Sequence, residues 1–264
     1  MEQAQVVLSS VRNAVRLLRQ FSHASPELGI KELSDRLNLH KSAVFRLVRT
    51  LVEENVIQQN PKNKKYSLSV GAFEIGTVFY HEIDICTVAF PLLGLLAEKL
   101  GEVIQLAIYD MGDVVYLLKF PEDTDTLFFN GMGRRVACHC TAVGKLLLAF
   151  QDEPEIERYT SLPMKQYTQK TVTDPTRLKE ELYRIRQQEY AESYEQYRPS
   201  RFALSVPIFS DLSERVIAAI SITCPTEHYS LRKTDYLIEE MKKCSRLITR
   251  RLDTIRWKKR RFMD

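Results

Sequence analysis

Lys41-Ser42-Ala43-Val44-Phe45-Arg46-Leu47-Val48-Arg49-Thr50-Leu51 is the stretch whose pattern decides the fold of this chain. Val44, Leu47, Val48 and Leu51 fall at i, i+3, i+4 and i+7, the apolar stripe of an amphipathic helix running from Lys41 to about Glu54. The other side carries Ser42, Phe45, Arg46 and Arg49, with Lys41 at the start. Hydroxyl and guanidinium groups projecting from an anchored helix reach phosphates and base edges in a major groove wide enough to admit it. A merely solvated face has the same composition, so the flanking residues must decide.

Upstream, Val11, Ala14, Val15, Leu18 and Phe21 recur at helical spacing, with Ser9 or Ser10 as a cap and Pro26 and Gly29 as punctuation. Ile30 to Leu37 predicts a second helix of barely two turns, and Asn38-Leu39-His40 the tight turn before the third. Short helices joined by a three-residue turn, the later one with the basic face, favour a helix-turn-helix. Downstream, Val56 to Gln59 and Lys65 to Ser69 predict two strands around Asn60-Pro61-Lys62-Asn63-Lys64. Lys62, Lys64 and Lys65 would then form a wing on the phosphate backbone, adding affinity and salt dependence while reading little sequence.

Charge is distributed in the same sense. Residues 1–69 carry 11 Lys/Arg against 6 Asp/Glu, residues 70–245 carry 19 against 26, and residues 246–264 carry 8 against 2. The basic head is the segment suited to a polyanion such as double-stranded DNA. Lys258 to Arg261 read either as a disordered, solvated end or as a further phosphate contact. With 44% hydrophobic and 27% charged residues, the 264-residue chain has the composition of a folded protein, which argues against wholesale disorder. No apolar run is long enough to span a membrane and the start lacks the architecture of a cleaved signal, so a cytoplasmic protein without a membrane partner is expected. Five irregularly spaced cysteines point to reduced thiols.

Residues 70–100 are helical in pattern, with breaks expected near His81 to Asp84 and at Pro91. Ala72, Phe73, Ile75 and Gly76 make this segment too apolar for a free tether; it packs either on the same segment of a second subunit or on its own body. The body alternates strands and helices. Val103 to Tyr109 and Val114 to Phe120 flank the hairpin signal Asp110-Met111-Gly112-Asp113. Leu127 to Phe129 reads as a short strand, and Thr141 to Phe150, Glu153 to Thr160 and Pro175 to Glu189 as helices. Strands follow at Tyr190 to Tyr197, Phe202 to Phe209 and Arg215 to Thr223, with a turn from Ser210 to Glu214 and a final helix from Leu231. Strand pairs bracketed by helices describe an α+β fold, an antiparallel sheet covered by helices.

Cys138-His139-Cys140 is the one stretch that invites catalysis. The three positions are too close to form a closed zinc site and no second pair supplies further ligands, so neither a metal nor any other cofactor is expected. A nucleophilic thiol would need a positioned base, which adjacency to His139 does not supply. No phosphate loop, dinucleotide fingerprint or hydrolase elbow occurs, and no catalytic residue is assigned. Gly131 to Lys145 reads better as a loop feeding a helix start, where backbone amides bind a small carboxylate; close packing of the glycines is the alternative. Ser221 and Thr223 alternate with Ile220 and Ile222, so both hydroxyls share one face.

Several ordered segments resemble the IclR-type family of bacterial transcriptional regulators: Ser10 to Ala14, Lys41 to Leu47, Tyr66-Ser67-Leu68 leading into Gly71, His139 to Lys145, and Val206 to Phe209 followed by Ala218 to Ile222. The resemblance implies a winged helix-turn-helix over 1–69, linker and dimerisation helices over 70–100, and a GAF-like effector-binding domain over 101–264. It implies a homodimer or dimer of dimers, more often repressing than activating, that senses a small metabolite such as an organic acid. Effector contacts would fall on Ala142, Val143, Ser193, Tyr194, Glu195, Ala203, Ser221 and Thr223. Ala137 stands where the family often has proline, Glu189 and Ser200 where it often has glycine, and Ala203 where cysteine is frequent. Two other functions stay open on sequence: a metabolic enzyme using Cys138 to Cys140, and an effector-independent DNA-binding scaffold controlled by a protein partner.

Overall fold

A computed structural model describes residues 7–22, 24–82, 84–120, 133–210, 215–230 and 234–261. The chain divides into two compact units, residues 1–83 and 84–264, so the apolar segment expected to act as one linker is shared between them.

In the first unit, α1 (Ser9–Leu18), α2 (Ile30–Leu37) and α3 (Lys41–Glu53) enclose Leu17, Leu33, Leu37, Val44 and Val48, all essentially inaccessible to solvent. Leu47 and Leu51, the rest of the α3 stripe, pack against this cluster while remaining half-buried. Ser9 and Ser10 lie inside the first turn of α1 rather than capping it, since Leu8 takes the capping position and makes no side-chain bond. At the start of α2, the Gly29 N–H donates to Glu32 Oε2 at 2.7 Å; Asn38 ends the helix with φ +53°, a conformation asparagine tolerates. The antiparallel pair β1 (Ile57–Gln59) and β2 (Tyr66–Leu68) follows, then α4 (Val70–Glu82). Gly71 is required at the start of α4, because a Cβ there would lie 2.3 Å from the Asn55 carbonyl oxygen.

The second unit is built on one six-stranded antiparallel sheet of order β5-β4-β3-β8-β7-β6. Its strands are β3 (Val103–Asp110), β4 (Asp113–Phe120), β5 (Arg135–Ala137), β6 (Ala191–Tyr194), β7 (Arg201–Ser210) and β8 (Arg215–Pro225). The β3–β4 turn has Met111 at φ +52° and Gly112 at φ +91°, the two-residue hairpin the sequence predicts. Two long helices, α5 (Asp84–Leu100) and α10 (Thr234–Arg261), pack on each other and on the sheet. Against the sheet's other face lie α6 (Ala142–Ala149), α7 (Glu153–Thr160) and α8 (Pro175–Gln188), around a core of Val143, Leu146, Leu147, Leu178 and Leu182. A short α9 (Thr226–Ser230) precedes α10.

Three expectations change, and one strand is added. Pro91 lies within α5 without ending it, because Leu92, Leu93, Leu96 and Ala97 bury the helix beyond it and outweigh one missing hydrogen bond. The strand expected over Tyr190 to Tyr197 stops at Tyr194, where Glu195 turns the backbone to φ +56°. Residues 258–261 continue α10 instead of fraying into a disordered end. The short β5 was not anticipated; it is recruited by β4, through Val114 opposite Val136. The strand expected at Leu127 to Phe129 lies outside the described residues. No described helix is long and apolar enough to cross a membrane.

Candidate DNA-binding face and ligand cavity

Burial of Val44 and Val48 fixes the rotation of α3, so Lys41, Ser42, Phe45, Arg46 and Arg49 are all exposed. Phe45, although apolar, is 53% exposed, a side chain presented outward rather than packed. Arg49 Nε lies 3.1 Å from Glu53 Oε1, an i,i+4 ion pair at the surface. No acidic residue occupies the first turn of α3 and His40 provides no side-chain cap, so the helix start keeps its positive end for an anion.

The wing is held by a residue the sequence reading passed over. Glu27 accepts from Asn60 Nδ2 at 2.9 Å and from Asn63 Nδ2 at 2.6 Å, and those two bonds hold its carboxyl below the usual range. Asn60 and Asn63 in turn accept from the N–H groups of Lys62 and Lys65. Lys62 and Lys64 are exposed at this turn, and Lys64 has φ +59°. Lys65 is placed differently: its ammonium lies 3.1 Å from Glu32 Oε2 of α2, tying the wing to the helical core.

In the second unit, a cavity of about 510 Å³ opens between the start of α6 and the sheet. It lies within the size range of small-molecule sites. Register builds its floor: Lys119, Gln105 and Ser221 form one cross-strand row, and Val103, Thr223, Ala203 and Ser193 the next. Ala142 and Val143 line it from the first two positions of α6, where backbone N–H groups have no partner within the helix. Thr141 caps that helix, its Oγ1 accepting from the Gly144 N–H at 3.0 Å.

Six of the eight residues assigned to effector contact therefore face one cavity: Ala142, Val143, Ser193, Ala203, Ser221 and Thr223. Tyr194 and Glu195 do not. Alternation turns Tyr194 away from Ser193, and it is 46% exposed with the Lys170 ammonium 4.4 Å above its ring. Glu195 accepts from that same ammonium at 2.6 Å and from the Ser200 N–H at 3.1 Å. Lys119, Arg134, Arg198 and Arg201 also line the cavity, none of them picked out by the sequence. For Lys119 and Gln105 a signal existed, a lone polar residue on the inward phase of an apolar strand. Arg134 donates to the Tyr197 hydroxyl at 2.6 Å, and that ring packs on Tyr167.

Cys138-His139-Cys140 forms a buried 3-10 turn behind the cavity. Burial raises the Cys138 thiol well above its ordinary value and pushes Cys140 to about 12, so neither forms a thiolate near neutrality. His139 is no base for them: Nδ1 lies 2.9 Å from the Tyr159 hydroxyl and Nε2 2.9 Å from the Lys165 carbonyl oxygen. All five cysteines are buried and outside any disulfide. Among the described residues no group of three His, Cys, Asp or Glu side chains could hold a metal ion.

Comparison with known proteins agrees with both halves. Residues 10–61 match the IclR helix-turn-helix domain and residues 78–250 match the bacterial transcriptional regulator IclR C-terminal domain. The HTH-type transcriptional regulator KdgR of Escherichia coli (strain K12) is 30% identical over 224 residues, 84% of this chain and 85% of that protein. XynR of the same organism is 29% identical over 252 residues, 93% of this chain and 98% of the relative. The solved structure of an IclR homolog complexed with 4-hydroxybenzoate, from Microbacterium hydrocarbonoxydans, superposes with a TM-score of 0.81 at 22% identity, over 93% of this chain and 100% of that one. A helix-turn-helix head, an antiparallel sheet domain with a small-molecule-sized cavity and matches spanning nearly the whole chain make this protein a DNA-binding transcriptional regulator, a member of the IclR family.

Proposed function

We propose that this regulator binds its operator as a homodimer or a dimer of dimers and represses transcription until a small organic acid enters the cavity of the second unit. The observation that carries the reading is the convergence of helix-terminal amides at Ala142 and Val143 with the hydroxyls of Ser193, Ser221 and Thr223 on one concave cavity. The 4-hydroxybenzoate held by the Microbacterium homolog supports a carboxylate as the ligand type. On DNA, Ser42, Phe45, Arg46 and Arg49 read the major groove while Lys41, Lys62 and Lys64 engage phosphates. Lys65 takes part only if it leaves Glu32.

Assembly has its own support. Val70, Phe73, Ile75 and Val78 on α4 are more than half exposed, as are Leu8 and Val11 at α1, and apolar surface of this kind is covered by a second subunit. Effector binding then acts by favouring one arrangement of the paired heads, to the extent of its differential affinity for the two. The test is to select bound fragments from a random duplex pool, then titrate them with protein at constant salt with and without a panel of organic acids. An acid that raises the melting point and weakens operator binding supports the reading. An acid that fills the cavity and leaves operator affinity unchanged overturns it.

A further inference from the structure

We propose that the cavity selects a small dianion, a short hydroxylated dicarboxylate, over any monocarboxylate; this rests on the cavity being the effector site. Lys119, Arg134, Arg198 and Arg201 all line it, and no acidic side chain among the described residues does. Helix-terminal amides and the Thr223 hydroxyl already suffice for one anionic group, so a monocarboxylate leaves the charge of the three arginines uncompensated.

Nor is the charge of the three arginines, Arg134, Arg198 and Arg201, neutralised by a neighbouring carboxylate among the described residues. Arg134 and Arg198 are held instead against the Tyr197 ring, 5.3 and 5.6 Å from its centroid, a contact that orients a guanidinium without cancelling its charge. Like charges gathered around one concave site repel each other until an anion enters, so their joint presence favours a multiply charged ligand.

Placement separates two anion positions. Ser193, Ser221 and Thr223 occupy the middle of the floor, beneath the α6 start. Arg201 stands two residues before Ala203 on β7, about 7 Å along the strand, and Lys119 is two strands from Ser221, about 10 Å away. One carboxylate at the amides and a second among the arginines span this interval. The hydroxyls and the Gln105 amide between them match a carbon chain bearing hydroxyl groups.

Calorimetric titration of the full-length protein with four- and six-carbon dicarboxylates (succinate, tartrate, adipate, galactarate), equal-length monocarboxylates (butyrate, hexanoate) and inorganic phosphate tests this. At least one hydroxylated dicarboxylate should bind about tenfold more tightly than its monocarboxylate counterpart, and R198Q and R201Q should each remove about that factor while leaving monocarboxylate binding unchanged. Both arginines are exposed, so melting points of the variants should match the parent. Equal binding of the two classes, or dicarboxylate binding indifferent to both substitutions, overturns the dianion while leaving a carboxylate effector standing. Binding of phosphate alone overturns the dicarboxylate, and failure of every acid overturns both readings together.

Discussion

The Lys145 ammonium on α6, wholly buried, donates to the Glu181 carboxylate of α8, and it also donates to the Glu192 carbonyl of β6 at 2.9 Å. Burial pulls this lysine below its ordinary value while Glu181 opposes the shift. Three elements are thus joined at one cation directly behind Ser193 of the cavity. Removing one partner strands the other: Lys145→Met should cost about 3–5 kcal/mol in urea denaturation, and Lys145→Met with Glu181→Leu should recover much of it. A single variant losing under about 1 kcal/mol would mean the pair is solvated and holds nothing.

Glu189 and Ser200 carry φ of +56° and +55°, at two positions where the family often has glycine. Left-handed backbone costs a side-chain-bearing residue about 1–2 kcal/mol. Glycine gives back about 0.4–1 kcal/mol through the freer unfolded chain. The first effect is larger, so Glu189→Gly and Ser200→Gly should each raise stability by about 0.5–1 kcal/mol. Thermal unfolding showing a loss at both sites would contradict this.

Periodicity located α2 at Ile30–Leu37 and α3 from Lys41, because each helix must bury one stripe and the stripe is written locally. The hairpin at Met111-Gly112 was legible for a similar reason, since turn geometry selects its own residues. Cavity residues were legible only where the family motif names them. Arg198 and Arg201 enter from a loop and a strand end whose direction depends on the Glu195 and Ser200 backbone, which no period encodes. Strand alternation sends Tyr194 to the face opposite Ser193, and the helix runs through Pro91 because local propensity yields to the burial around it.

Gly144 packs against the 3-10 turn so closely that a Cβ would lie 2.4 Å from the Cys138 carbonyl oxygen and 2.5 Å from its Cα. Both are backbone atoms, which cannot rotate away. Gly144→Ala should therefore cost at least about 1–3 kcal/mol despite alanine's better helix propensity, and should also weaken any ligand held at the α6 start. Retained stability together with retained ligand affinity would show that the turn can shift.

His139 makes three bonds to two groups: it receives the Tyr159 hydroxyl at Nδ1, donates from Nε2 to the Lys165 carbonyl, and donates its backbone N–H back to Tyr159 at 3.1 Å. Since a carbonyl only accepts, Nε2 carries the hydrogen, and in the neutral ring that burial favours, Nδ1 accepts from Tyr159. Burial lowers its pKa below the ordinary 6.5, so the unfolded chain takes up the proton first. The sign follows: this contribution is complete above about pH 6.5 and is lost as the pH falls below it. Comparing parent and His139→Asn by chemical denaturation between pH 8 and 5, the difference in stability should shrink toward acid. A constant difference would mean that His139 does not titrate in this range.

The exposed face of α3 and the wing should separate in their response to salt. Arg46 has no ion-pair partner among the described residues and projects from the side opposite Val44 and Val48. If it reads a base edge, Arg46→Ala loses about 1–3 kcal/mol of operator affinity and relaxes sequence preference at one position. Lys62→Ala at the wing should instead weaken all duplexes alike and lower the salt slope by about 1, as expected for one phosphate contact. Lys65→Ala should change the slope less, because its ammonium is already engaged by Glu32. Fluorescence anisotropy over a range of salt concentrations, on selected and scrambled duplexes, measures all three. An Arg46→Ala variant with unchanged preference, or a Lys62→Ala variant with an unchanged slope, would move the DNA contact off this face.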